Sequence, residues 1–233
     1  MPVIVRERPD AFLLFGQHEH ALIAGEFALR WKEEPNPLDS TLYAIVNHDL
    51  GWRELDQDVL WNEEKKRPYS FVDFPLDLKL PAQRRGIDAV EEYDPYAGCL
   101  CSMHYARFLL DSRRPEEVQF REAEKERRDS LEQRMSDSER GNLERNFRFL
   151  RLCDGLSLFL CLNEPGDEDS PPPYPGGFEF DGTHYEPVWE DRRTLRLDPD
   201  PFSEAFEIEI PYRTIGRDQR SLGSDRLELR VTC

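Results

Sequence analysis

With 233 residues the chain has room for one sizeable domain, or one domain with an appendage. Its 48 acidic against 31 basic residues leave a formal charge of −17, a surface that repels phosphate backbones and anionic lipid and argues against nucleic-acid or membrane partners. Only 38% of residues are hydrophobic, yet 14 Phe, 4 Trp and 8 Tyr suffice for a core beneath a heavily charged surface.

In chain order, residues 3–8 alternate apolar and charged and 11–15 are an apolar run, with Arg8-Pro9-Asp10 as turn chemistry between them. This predicts a β-hairpin. A helical pattern starts at Gln17-His18-Glu19-His20, where His20, Ile23, Ala24, Phe27 and Trp31 share one face. Two residues along a helix turn a side chain by about 200°, so His18 is expected to face solvent. Pro35 and Pro37 make 33–39 a loop, after which Asp39 or Ser40 can cap a helix. On that helix Leu42, Ile45, Val46 and Asp49 form one face with His48 beside it, and Gly51 is placed to end it in a left-handed conformation. Residues 52–80 read as irregular, either a lid or pocket wall or an ornamented surface loop.

Pro81 can open a helix over 82–92. Asp94-Pro95 reads as an N-cap with proline at the first helical position, and the helix it starts carries Ala97, Leu100, Cys101, His104 and Phe108 on one face. Residues 115–134 form a charged, mostly solvated helix anchored by Val118, Phe120 and Leu131. Ser136-Asp137-Ser138-Glu139 matches a capping box opening a helix that runs to Leu162. From Phe147 on that helix is apolar nearly all round, the signature of a buried central helix, and Asp154 stands in its middle. The acidic, proline-rich stretch 164–177 reads as a linker. Beyond it, 178–180, 194–197, 206–210 and 227–231 read as strands of a small sheet able to pair with the hairpin, and His184 as exposed. The expected organisation is mainly α (α+β): a helical domain over 1–163, a linker over 164–177 and a β-rich extension over 178–233.

Five cysteines, none in a Cys-x-x-Cys pair, read as small core residues of a cytoplasmic protein rather than disulfides or a zinc ribbon. No signal sequence is visible, and no stretch approaches the roughly 20 apolar residues of a membrane span. There is no glycine-rich phosphate loop and no Gly-x-Ser-x-Gly elbow. Ser102, two residues before His104, points away from it on a helix.

An ionised carboxylate buried alone costs several kcal/mol and otherwise takes up a proton. Asp49 and Asp154 therefore need an arginine, a protonated histidine or a metal ion. One inward histidine is an ordinary hydrogen-bonded core residue. His20, His48, Asp49, His104 and Asp154, on separate apolar faces, point together to a metal site. Mixed imidazole and carboxylate ligands suit Mn, Fe, Co, Ni or Zn, as one or two ions, better than Ca or Mg alone. A bound cation inverts the local field, so a small anionic, phosphate-containing substrate is compatible with the acidic surface. Arg53, Lys65, Lys66, Arg67, Arg84 and Arg85 are the cations close in sequence to His48-Asp49; of these Arg53, Arg84 and Arg85 are the candidate substrate-binding residues, with surface charge the ordinary role for most.

An early His, a His-Asp pair ending a helix, a further His and a late helical Asp resemble the ligand order of the HD-domain metal-dependent phosphohydrolases. The words around them, Gln17-His18-Glu19-His20-Ala21, His48-Asp49-Leu50-Gly51-Trp52, Asp94-Pro95-Tyr96-Ala97-Gly98, Ser102-Met103-His104 and Asp154-Gly155-Leu156-Ser157-Leu158, resemble more specifically a bacterial family known only as domain of unknown function 3891. The likeness runs from the hairpin to about Leu162. The HD resemblance implies a helical bundle, to which the sequence pattern adds an N-terminal β-hairpin and a small C-terminal β-sheet; it implies that the five residues hold metal and that His48 and Asp49 are catalytic. It implies a phosphohydrolase acting on a nucleotide or small phosphate ester. The alternatives are a di-iron HD-type oxygenase and a regulatory protein that binds metal or ligand without turnover. His20 here follows a strand directly, whereas the first histidine of HD proteins lies farther into the bundle.

Overall fold

The computed structural model describes residues 4–166 and 177–233; most of the expected linker, 167–176, lies outside the described residues. The hairpin comprises β1 (Ile4–Glu7) and β2 (Ala11–Phe15). Helices α1 (Gln17–Leu29) and α2 (Leu38–Asn47) follow, then a 3-10 turn over Leu50–Trp52 and a two-strand ladder of β3 (Trp61–Asn62) and β4 (Arg67–Pro68). Four helices come next: α3 (Leu76–Tyr93), α4 (Pro95–Arg107), α5 (Pro115–Glu132) and α6 (Asp137–Leu162). Strands β5 (Phe178–Phe180), β6 (Thr183–Trp189), β7 (Thr194–Asp198), β8 (Phe206–Gly216) and β9 (Ser221–Thr232) complete the chain.

The expected helical bundle with a small C-terminal sheet is corrected by the strands. They form one seven-stranded mixed sheet, ordered β1-β2-β8-β9-β7-β6-β5, in which only β7 and β9 pair in parallel. Strand β8 is 11 residues long and β9 12, more than twice the apolar runs that signalled them. Phe206, Ile208 and Ile210 alternate inward, but the polar remainder of β8 turns to the hairpin and pairs Leu13↔Thr214 and Leu14↔Arg213. Its apolar neighbours come from β2 rather than from its own sequence, so periodicity was silent there. Strand β2 is covered on both faces. Leu13 and Phe15 join the main core, while Phe12 and Leu14 meet Ile215, Val59 and Trp61 behind the sheet, which explains its unbroken apolar run.

The main core lies between sheet and helices, with α6 buried along nearly its whole second half. Ser136 and Glu139 form the expected capping box, and Asp94 accepts from the Ala97 amide at 3.0 Å. Helix α1 begins after Gly16 with no cap of its own. The carboxylate of Asp56, 39 residues on, accepts from the Gln17 and His18 amides instead, and burial pushes it up to about 6.

Helix α3 starts at Leu76, so Pro81 lies inside it rather than opening it. Gly51 is not left-handed. A Cβ there would overlap the carbonyl oxygen of Ala82, and one at Gly86 would meet the Gly51 backbone. The two glycines let α3 cross the 3-10 turn backbone to backbone, directly behind His48-Asp49. Cys99, Cys101, Cys153 and Cys161 are buried free thiols. Among the described residues no helix is long and apolar enough to cross a membrane.

Candidate metal centre

The five predicted ligands come from four elements and meet at one point. His20 projects from α1, His48 and Asp49 from the end of α2, His104 from α4 and Asp154 from α6, and none is more than 4% exposed. The rings of His20 and His48 stand 5.0 Å apart and those of His48 and His104 4.7 Å. Two sets of potential ligand atoms each fall within 4.8 Å: His20, His48 and Asp154, and His48, Asp49 and His104.

Hydrogen bonding assigns the tautomers. His48 Nδ1 lies 2.7 Å from the Ile45 carbonyl, an acceptor only, so it carries the proton and donates. Its Nε2 then presents a lone pair, 3.6 Å from Asp154 Oδ1 and 3.8 Å from Asp49 Oδ2, with no hydrogen-bond partner among the described residues. The Ser157 hydroxyl donates its one proton to the Asp154 carbonyl at 2.9 Å and therefore accepts from His20 Nδ1 at 2.7 Å. His20 Nε2 lies 3.0 Å from Asp49 Oδ2, at hydrogen-bond distance: it donates to that carboxylate when it carries a proton and faces it with a lone pair when it does not. Two neutral imidazoles facing two carboxylates in this way repel. A proton or a metal ion between them reverses the sign.

The surrounding charges take that up in part. Burial disfavours a charged His48, but Asp49 and Asp154 outweigh it and raise its pKa. His104 moves the other way: burial, reinforced by Arg107, holds it neutral well below the usual range, and its Nδ1 has no partner among the described residues. Asp49 and Asp154 stay ionised against burial because of the imidazoles, with Arg107 also acting on Asp154. Arg107 donates to Asp154 Oδ2 at 2.7 Å and Tyr105 donates to Asp49 Oδ1 at 2.8 Å. Each carboxylate therefore has one oxygen tied down and the other aimed at the imidazoles. With neutral histidines the two acids and Arg107 sum to −1, a deficit suited to a divalent cation.

Sequence reasoning missed Tyr105, Arg107 and Ser157. Ser157 and Arg107 lie three residues beyond Asp154 and His104, a helical spacing that signals a shared face; nothing marked Tyr105. His18 is half-buried rather than solvent-facing, its Nδ1 sealed without a partner among the described residues. A cavity of about 270 Å³ opens over Asp49, His104 and Asp154, walled by Trp52, Phe71, Tyr105 and Phe108, with Lys79, Gln83 and Glu117 at its polar side. The candidate substrate-binding arginines do not line it: Arg53 is exposed, Arg84 lies over the Phe120 ring in the cleft between α3 and α5, and Arg85 sits 3.7 Å from Glu54. Lys65 and Arg67 pair with Asp73, and Lys66 with Glu63. His184 is exposed beside Glu179.

No curated protein and no solved structure matches the chain. The family described as "Protein of unknown function (DUF3891)" matches residues 3–217, and the chain belongs to that family.

Proposed function

We propose that the protein is a metal-dependent phosphohydrolase with an HD-type ligand set, acting on a nucleotide or small phosphate ester. The observation that carries this reading is the pair of buried imidazole Nε2 atoms, on His20 and His48, turned toward Asp49 and Asp154 while their Nδ1 atoms are held by the Ser157 hydroxyl and the Ile45 carbonyl. His20, His48, Asp49, His104 and Asp154 are the residues that would hold a divalent transition metal, and their nitrogen and oxygen donors fit Mn, Fe, Co, Ni or Zn. When bound, such an ion polarises a phosphoryl oxygen and brings the pKa of its water toward neutrality.

The chain's own residues do the positioning. Tyr105 anchors Asp49 Oδ1, which leaves Oδ2 to accept the proton of an attacking water. Arg107 keeps Asp154 ionised. The Ile45 carbonyl and Ser157 hydroxyl fix the two rings, the supporting role that outer partners play at histidine metal sites. Trp52 and Phe108 give one side of the cavity an apolar wall.

Elemental analysis of protein purified without chelator, followed by a phosphatase screen with added Mn²⁺, tests the reading. Stoichiometric metal and Mn²⁺-dependent phosphate release are expected. Metal-free protein that takes up none of the five ions on titration overturns it. Bound iron with a visible absorption band and no phosphate release would replace hydrolysis by oxygen chemistry.

A further inference from the structure

Lys79 is the cation that reaches the cavity over the metal-type cluster. Its ammonium donates to the Phe71 carbonyl at 2.9 Å and makes no ion pair among the described residues. Burial draws its pKa down, and Glu117 and Asp49 only partly offset this. An ammonium carries three donors, so two remain for a ligand. Gln83 stands four residues farther on α3, on the same helical face, and is 4% exposed with its amide lining the same cavity. A half-buried cation and a neutral amide, side by side and facing apolar walls, form a grip for an anion with an apolar body.

The charge inventory limits how many anionic groups fit. With one divalent ion bound, its two charges and Lys79 balance the three carboxylates of Glu117, Asp49 and Asp154 around one cavity, which leaves no surplus positive charge for a polyphosphate tail. The volume, about 270 Å³, is at the lower edge of the roughly 300–1,000 Å³ of small-molecule pockets.

Resting on the metal-centre reading above, we propose that the substrate is a small phosphate monoester carrying a single phosphoryl group, held by Lys79 Nζ and the Gln83 amide, with its alcohol portion against Trp52, Phe71 and Phe108. Hydrolysis forms a bond from the water oxygen to phosphorus and breaks the ester P–O bond; the water's proton goes to Asp49 and from there to the leaving alkoxide, giving an alcohol and inorganic phosphate and returning Asp49 to its ionised form.

The probe is inorganic phosphate, titrated calorimetrically into Mn²⁺-loaded wild type, Lys79→Met and Lys79→Arg, with the metal content of each counted in parallel. Lys79→Met should keep its metal and bind phosphate about tenfold more weakly or worse, the usual cost of losing a charged hydrogen bond. Lys79→Arg should recover part of the affinity. Fully metallated Lys79→Met that binds phosphate within about twofold of wild type overturns the proposal and leaves the metal reading intact. Wild type that takes up no metal defeats the metal reading, and this proposal with it. The substrate limit has its own readout: para-nitrophenyl phosphate should be hydrolysed and a nucleoside triphosphate should not, and the reverse preference overturns the single-phosphoryl assignment.

Discussion

His20 Nδ1 lies 2.7 Å from Ser157 Oγ, whose proton is committed to the Asp154 carbonyl. One hydroxyl thereby fixes the orientation of a ring on a different helix and turns its Nε2 toward Asp49. Ser157→Ala removes the acceptor with little change in volume at a fully buried site. Metal affinity is expected to fall by about 10–100-fold, as when an outer hydrogen-bond partner of a ligating histidine is lost. Competition against a chromogenic chelator measures it. Unchanged affinity would show that His20 is not a ligand.

Asp49 and Asp154 are not equivalent. Both approach the Nε2 atoms of His20 and His48, Asp49 Oδ2 at 3.0 and 3.8 Å and Asp154 Oδ1 at 3.9 and 3.6 Å, but Asp154 also has Arg107 to balance it. Asp49→Ala should abolish metal binding with the circular dichroism spectrum retained, and Asp154→Asn should weaken binding strongly. His18→Ala should do little, because His18 is not among the residues that converge. Full metal occupancy in Asp49→Ala would remove the ligand assignment, and equal losses in His18→Ala and His20→Ala would mean that the wrong histidine of α1 was chosen.

The polar cluster was legible because each member interrupts an apolar stripe, and a carboxylate such as Asp154 in a helix apolar all round has few explanations. Its supporting residues were less so: a serine or tyrosine in a helix is chemically unremarkable until its partner on another helix is known, as with Ser157 and Tyr105. The sheet was under-read for a related reason. Thr214 and Arg213 are strand residues because β2 lies beside them, a relation between segments about 200 residues apart. Gly51 was marked as special for the wrong cause, since what demands glycine is the approach of α3 and not a positive φ.

Protonation of His48 and metal binding compete for the same nitrogen. Burial opposes the charge, but Asp49 and Asp154 raise the folded-state pKa above the unfolded value near 6.5. In the metal-free protein this contribution to stability is fully present below about 6.5 and is lost as the pH climbs through the raised value. Metal affinity should rise across the same window, with a proton released on binding. Melting temperatures of metal-free and metal-loaded protein measured over that range should therefore diverge with increasing pH. Curves that stay parallel would exclude His48 Nε2 from the metal.

The crossing of α3 over the 3-10 turn should be the mechanical support of the His48-Asp49 pair. Gly51→Ala forces a Cβ against the Ala82 carbonyl, main-chain oxygen that cannot rotate aside. Overpacking of this kind costs about 1–3 kcal/mol, which for a chain of this size lowers the melting temperature by roughly 2–12 °C. Because the strained residue is two positions from Asp49, metal affinity should fall with it. Gly141→Ala is the control: a Cβ there meets nothing within 4 Å, on an exposed part of α6, so the variant should be as stable as wild type or up to about 1 kcal/mol more so. Differential scanning calorimetry with and without Mn²⁺ separates the two. If Gly51→Ala melts like Gly141→Ala and keeps its metal, α3 does not brace the pair, and the position of His48 and Asp49 must come from α2 alone.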